Sequence, residues 1–528
     1  MKTVLRPLDK ILKEDKKALL LLCIVSLVFL FAIPFNGGFG LNDDPTYAKA
    51  VKDFAFAGKY YPENYASTML LQIIYATIFV KLFGFSHEIL RISVMLLSVL
   101  GVLLFFVLAR QFGFSKKHAL LLAMLLLVNP FFVVLGHSFM TDVPFTVLFL
   151  AAAIPLVEWA KSREKKALVA GCLMLLLGFF IKQWALLFFF GLAFFVFFLS
   201  KSEKKEKIII VATLAAFAVA LAWSLPHYAL DDAGTYFKPV GGKFVLPLLF
   251  GLPFYAAFFL FPFSIALLLE KRQLKETLAK KKLLVFSVLF ALVGIIAGLL
   301  AFNRFFPYFS NVLNPLGMGP KFLVGTATGI IPEWFWVVIS LLAAASLVFF
   351  IQSLNPQSFK KKEKLLVGCM IAVYFVQMLA NSYFIDRYFL PMLPIIFLLL
   401  LEPLKEKKHF VAGLAATIVF FAAFSFVFTS EYMAWNEKAW QLINELKAQG
   451  VPEGSIDGGH EYCEMTFGQS ETRLLRTDTK YFKGICGKGC VEKGYAIAFK
   501  PIEGCSIEKS EPYFVFGAKF GEIFVLKK

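Results

Sequence analysis

Long apolar stretches recur along the first 429 residues, and nothing else in the chain restricts its fold as much. We read thirteen of them, at 18–36, 92–109, 118–135, 143–160, 167–181, 184–200, 208–228, 244–270, 283–301, 333–352, 365–382, 388–404 and 409–429. A helix of roughly 20 apolar residues crosses a bilayer core of about 30 Å, and inside lipid the backbone must satisfy its own hydrogen bonds. Runs that are continuous rather than alternating exclude a membrane β-barrel. Composition agrees: of 528 residues 59% are hydrophobic and 17% charged, where soluble domains carry about 25% charged residues. An ordinary soluble enzyme, a disordered chain and a fibrous repeat are all excluded. The expected fold is an all-α polytopic membrane protein.

The formal net charge is +18, which in a soluble protein would suggest nucleic acid. Here the basic residues follow the connections instead. The seven segments on one side (1–17, 110–117, 161–166, 201–207, 271–282, 360–364 and 405–408) total 59 residues and hold 30 of the 54 Lys and Arg. The six connections on the other side hold 11 in 115 residues. The first set is therefore expected to be cytoplasmic, nucleic-acid binding is not expected, and the N-terminus lies inside. With an odd number of spans, the tail 430–528 lies outside. The first apolar run is long and no small-residue cleavage site follows it, so it reads as a span, not a cleaved signal.

The chain thus divides into a membrane domain, 1–429, and an extracytoplasmic domain, 430–528. The tail opens with a helical pattern from Trp435 to Ala448, stopped by Gly450 and Pro452, and continues with short alternating runs at Tyr495–Phe499 and Tyr513–Phe516. That predicts a small α+β domain. Of seven cysteines, Cys23, Cys172 and Cys369 fall in apolar spans, while Cys463, Cys486, Cys490 and Cys505 cluster in the tail. An even cluster in an oxidising compartment reads as two disulfides with three possible pairings. A four-cysteine zinc site is the rival reading, although the spacings do not repeat a C-x-x-C pair. In the long outer loop 37–91, amphipathic stretches around Tyr47–Phe56 and Met69–Leu82 predict interfacial helices with Lys49, Lys52 and Lys59 toward water.

Several polar residues sit at the outer ends of spans. Residues 167–200 carry a single charge, Lys182. As one helix they would extend about 51 Å, yet both flanks are basic and belong inside. They must form a tight hairpin with Lys182 at its apex, either snorkelling to headgroups or facing an anion. Asn42-Asp43-Asp44-Pro45 follows the first span: a solvated turn on one reading, a general base with an orienting neighbour on the other. Asp142 stands in the short loop before the fourth long run, where it could cap a helix or face the same site as Asp43. His137 in that loop reads as a hydrogen-bonded interfacial residue. Arg387 is the only basic residue between Lys364 and Lys405, placed to meet a phosphate or a buried carboxylate, with a surface pairing to Asp386 as the alternative. Arg304 and Lys321 occupy a 31-residue outer loop that could form a lid over a substrate. No P-loop, dinucleotide fingerprint, HExxH or nucleophile elbow is present. The energy for an outward-facing reaction must then arrive with an activated substrate.

These residues resemble the GT-C integral-membrane glycosyltransferases, and within them the protein O-mannosyltransferases and lipid A aminoarabinose transferases. The acidic pair followed by Tyr-Ala is present as Asp43-Asp44-Pro45-Thr46-Tyr47-Ala48. Leu82-Phe83-Gly84 with Arg91, Thr141-Asp142-Val143-Pro144, Gly178 with Lys182, and Arg387-Tyr388 with Pro391 and Pro394 match further motifs in order. Two departures stand out: Thr46 replaces a frequent Arg, and Ser67-Thr68-Met69 stands where a His/Lys-Pro motif is usual. The resemblance implies inverting transfer of a sugar from a polyprenyl-phosphate donor to a hydroxyl on an acceptor glycan, lipid or protein. It also implies Asp43 as catalytic base, assisted by Asp44 and Asp142, with Lys182, Arg387 and Arg304 holding the donor phosphate. It carries over no metal site and no cofactor; besides the donor and acceptor, the expected partner is membrane lipid. A lipid or polysaccharide transporter and a polymer ligase are the alternatives.

Overall fold

The structure is a computed structural model. It describes residues 11–60, 68–224, 242–270, 275, 277–325, 327, 331–354, 357, 360–379, 384–463, 465–466 and 494–527. Among the described residues, each of the thirteen apolar runs falls largely on helix. Among the described residues six helices are individually long and apolar enough to cross a membrane: His87–Gln111, Asp142–Ser162, Lys204–Ser224, Lys281–Phe302, Glu333–Ser353 and Phe410–Ala448. Two bent pairs, Lys116–Leu127 with Pro130–Gly136 (58°) and Val245–Phe259 with Phe261–Leu268 (66°), raise this to eight if each is one span. The other five runs lie on Lys16–Ala32, Lys165–Phe179, Ala185–Leu199, Lys362–Leu379 and Leu393–Leu404. The protein is therefore a polytopic helical membrane protein with a small C-terminal sheet region.

Both bends have a local cause. At the first, Asn129 caps the new helix through its side-chain oxygen, which accepts from the amides of Phe131 and Phe132, and Pro130 takes the first helical position. At the second, Pro262 sits in the first turn of Phe261–Leu268. Proline fixes φ and lacks the N–H that a continuing helix would need, so the chain restarts at an angle.

The expected hairpin is present. Lys165–Phe179 turns at 180–184 into Ala185–Phe194, and the Lys182 amide donates to the carbonyl of Gly178 at 2.9 Å. The turn is held from outside by the segment that departs from the family pattern. Met69 N donates to Ile181 O (3.1 Å), Leu71 N to Phe180 O (2.9 Å), and the Thr68 hydroxyl to Phe179 O. The hairpin's return arm packs on Lys362–Leu379 so closely that a Cβ on Gly191 would lie 2.4 Å from Met370 Cα. Small residues permit such close helix approach in membranes. This contact brings the apex beside the segment after Lys362–Leu379, which carries Arg387.

The two helices expected in the first outer loop are Asp44–Ala57 and Leu70–Phe83. Lys49, Lys52 and Lys59 are exposed, and Leu70–Phe83 exposes Ile74, Ile78 and Leu82 along one side.

The last span does not end at 429. Phe410–Ala448 is one helix of 39 residues, about 58 Å long, nearly twice the bilayer core. The helix expected over Trp435–Ala448 is its continuation, so the expected boundary at 429/430 falls inside a continuous element. Beyond it lies a four-stranded sheet in the order Ile456–Asp457, Tyr495–Ala498, Ala518–Lys527, Ser506–Val515; the first pair is parallel and the others antiparallel. The last two strands form a hairpin whose turn residues, Phe516 and Gly517, both have positive φ, matching the twist that two-residue hairpin turns require. Cys463 and Cys505 are each disulfide-bonded; Cys486 and Cys490 lie outside the described residues.

Candidate active site

Asn42, with φ of 55°, turns the chain after the first span into the helix Asp44–Ala57, with Asp43 at its N-cap position and Pro45 in its first turn. A capping aspartate would normally accept from the amides of that turn. Asp43 makes no such bond. Its Oδ2 instead accepts from Arg387 Nη2 at 2.9 Å, and its Oδ1 stands 4.0 Å from His460 Nε2. Asp142 behaves alike. It opens Asp142–Ser162 beside the N-cap Thr141, which makes no side-chain cap bond. The Asp142 carboxylate accepts from Lys182 Nζ at 2.9 Å and lies 3.8 Å from Arg387 Nε. Neither aspartate is explained by capping.

Two carboxylates and two cations thus form one cluster, in which Arg387 joins Asp43 to Asp142 and Lys182 closes on Asp142. They come from four segments far apart in sequence. Lys182 is 5% exposed and Asp142 1%. Lys182 is further enclosed by the rings of Trp184 and Tyr388, 4.7 and 4.9 Å away, a favourable setting for a desolvated cation. The Asp43 side chain is the most open of the four at 21%, so it is the member an incoming group can reach.

The adjacent acid differs. Asp44 is fully buried, and its Oδ2 accepts from Leu41 N at 3.3 Å. Burial pushes the Asp44 carboxyl up to about 7, against the pull of the Arg91 guanidinium. Arg91 is buried too; it lies over the Phe39 ring and donates to the carbonyls of Phe35, Gly37 and Phe39. It thereby folds the loop that carries the acidic pair. Burial also acts to raise Asp43, but Arg387 and then His460 outweigh it and hold that carboxyl well below the usual carboxylate range. Two neighbouring aspartates therefore have opposite proton affinities, set by their different partners.

Arg387 does not pair with Asp386. The Asp386 carboxylate accepts from the amides of Val312 (2.9 Å) and Leu313 (2.7 Å), anchoring the outer loop 302–332 while its neighbour turns inward. Burial raises the Asp386 carboxyl to about 7. Arg304, in the same loop, stands apart from the cluster: it donates to the carbonyl of Tyr308 at 2.8 Å and lies over the Phe302 ring. Lys321 pairs with the buried Glu431 on the long last helix at 2.8 Å, and the Tyr513 hydroxyl donates to the same carboxylate at 3.1 Å. His137 lies between the carbonyls of Val133 and Leu30, the hydrogen-bonded role expected of it. Among the described residues, no three His, Cys, Asp or Glu side chains converge as metal ligands.

Sequence reasoning missed His460 and Glu461. They follow Asp457-Gly458-Gly459 in the tail, and Glu461 Oε1 accepts from the Asn42 amide at 3.3 Å. Two glycines beside three ionisable residues formed a local signal, but a tail read as a separate domain gave no reason to bring it to Asp43.

Residues 71–226 match the family model described as dolichyl-phosphate-mannose-protein mannosyltransferase, a segment that includes Arg91, Asp142 and Lys182. Over that segment the chain is similar to this family of membrane glycosyltransferases, in line with the resemblance carried by the motifs. Among solved structures, the chain aligns with ArnT from Cupriavidus metallidurans bound to undecaprenyl phosphate at 14% identity, TM-score 0.43, covering 96% of this chain and 97% of that one. It aligns with the S. cerevisiae protein O-mannosyltransferase Pmt1-Pmt2 complex bound to the sugar donor at 19% identity, TM-score 0.33, covering 43% and 36%. The arabinofuranosyltransferase AftD from Mycobacteria aligns at 12% identity, TM-score 0.37, covering 84% and 29%. Among curated proteins no sequence matches the chain significantly.

Proposed function

We propose that the protein transfers a sugar from a polyprenyl-phosphate donor to a hydroxyl of a glycan, lipid or protein acceptor at the outer membrane face, with inversion and with Asp43 as general base. The observation that carries this reading is the bridge made by Arg387 between Asp43 at 2.9 Å and Asp142 at 3.8 Å, with Lys182 on Asp142. The buried cations of the cluster are balanced by carboxylates. A donor phosphodiester brings one negative charge with oxygens that suit both a guanidinium and an ammonium. The name of the matching family describes a dolichyl-phosphate sugar, which is donor chemistry of the same kind.

In the reaction, Arg387 and Lys182 stabilise the negative charge that grows on the phosphate as the bond from sugar C1 to phosphate oxygen breaks. Asp43, the accessible acid, accepts the acceptor's hydroxyl proton as the new C1–oxygen bond forms on the opposite face. Asp142 positions both cations. The excess of Lys and Arg on one set of connections supports a cytoplasmic N-terminus, with the cluster and the C-terminal region on the opposite side.

The test is transfer from a panel of labelled polyprenyl-phosphate sugars by membranes containing the wild type or Asp43→Asn. Transfer by the wild type and a loss of two to four orders of magnitude in the variant are expected. Near-normal turnover by Asp43→Asn would remove Asp43 from the role of base.

A further inference from the structure

The C-terminal region reaches the candidate catalytic acid itself. Of the two Asp43 oxygens, Oδ2 is taken by Arg387, and Oδ1 faces His460 Nε2 at 4.0 Å. The position of His460 is set from several sides. Its ring meets Phe322 edge-on at 4.8 Å. The next residue, Glu461, is tied to the amide of Asn42, which precedes Asp43. The turn before it depends on Gly459: φ is +84°, a Cβ there would lie 3.0 Å from the Phe322 carbonyl oxygen, and the Gly459 amide donates to Asp457 at 3.1 Å. A side chain at 459 would be strained and would crowd the backbone of Phe322, whose ring meets His460.

We propose that His460 is a positioning residue for the transfer, acting through Asp43: as a neutral imidazole with Nε2 unprotonated, it takes up from Oδ1 the proton that Asp43 removes from the acceptor. The inference rests on the reading of Asp43 as base. The acceptor O–H breaks as its oxygen bonds to sugar C1; the C1–O bond to phosphate breaks and its electron pair leaves with the phosphate. The proton goes to Asp43, then to His460 Nε2, and finally to water. Asp43 alone holds a proton poorly, because Arg387 stabilises its charged form, whereas an imidazole can accept a proton and pass it on to water. At 4.0 Å the pair is about 1 Å beyond hydrogen-bond reach, so the transfer of the proton requires the two side chains to close that gap.

Among the described residues, the charged and titratable groups around His460 are Asp43 and, through it, Arg387; Tyr47 beside Asp43; Asp457 and Glu461 on its own segment; and Tyr432 on the last helix, which faces Glu461. Phe322, from the outer loop, is uncharged. Glu461 and Asp457 must therefore be held constant in the test.

The experiment uses the full chain in lipid vesicles with a labelled polyprenyl-phosphate sugar that the wild type transfers, followed from pH 5.5 to 8.5. His460→Gln is expected to lower kcat tenfold or more, leave the donor KM within about twofold, and flatten the acidic limb of the kcat profile; imidazole added to His460→Ala should restore part of the rate. Wild-type kcat and pH profile in both variants would overturn the inference. So would a loss of donor KM together with kcat that imidazole does not repair, since that marks a purely architectural contact. Asp43→Asn, run alongside, separates the two claims. An active Asp43→Asn refutes the base, while an inactive Asp43→Asn beside a normal His460→Gln refutes only the role of His460.

Discussion

Replacing Lys182 by Met tests whether this cation holds the donor or merely fills a buried position. The wild-type ammonium is 2.9 Å from Asp142, whose carboxylate is almost wholly buried. Removing one partner of a buried pair typically costs about 3–5 kcal/mol, because the other charge is stranded; here Arg387 Nε at 3.8 Å offsets part of that. A lower melting temperature is expected on either view and decides nothing. The donor decides. A charge-assisted hydrogen bond contributes about 1.5–3 kcal/mol, so Lys182→Met should weaken polyprenyl phosphate binding by roughly ten- to a hundredfold. Asp142→Asn removes the competing carboxylate and keeps both cations, so binding should hold or tighten even as turnover falls. The assay is equilibrium binding of polyprenyl phosphate to purified protein in nanodiscs, with melting temperature recorded for each variant. Wild-type affinity in Lys182→Met, or equal weakening in both variants, would refute the assignment of Lys182 to the donor phosphate.

Two other outcomes are expected. Thiol labelling of intact cells should find Cys463 and Cys505 blocked before reduction and reactive after it; free thiols at both positions without reductant would contradict an oxidising, outward location. Asp44 should make stability depend on pH: its folded-state value near 7 lies above the unfolded value near 4, so its contribution is fully present below about pH 4 and is lost as pH rises through 7, by up to about 1.4 kcal/mol per unit. Melting temperatures of wild type and Asp44→Asn in detergent from pH 5 to 8 should therefore diverge, the wild type falling faster; parallel curves would show that Asp44 is not titrating there.

The elements legible in the sequence are those that local physics dictates. Among the described residues the apolar runs became helix because a chain in lipid has few other ways to satisfy its backbone. The apex at Lys182 followed from length and charge alone, and Asp142 from its place at the outer end of a span. What stayed hidden depends on contacts between distant segments. The apolar run fades at Thr429, yet the helix continues through Glu431 because that carboxylate finds Lys321 and Tyr513 once the chain is folded. Arg304 and Arg387 both read as outward cations, and only tertiary structure shows that one caps its own loop while the other reaches Asp43. His460 was hidden for the same reason: its partner lies more than 400 residues away.

The outer loop 302–332 explains how those distant segments stay in register. At one end its amides at 312 and 313 grip Asp386, the residue before Arg387. At the other, Lys321 is bonded to the last helix, Phe322 supports His460, and Val324 pairs with Ala498 while its carbonyl accepts from Phe499. The same short segment therefore fixes the cation on one oxygen of Asp43 and the imidazole facing the other. Sequence reading cast this loop as a lid over the substrate. Its bonds give it a different part, that of a strap between the membrane helices and the C-terminal sheet, setting the distance between Arg387 and His460 across a single carboxylate. The geometry of Asp43 is thus determined jointly by both halves of the chain.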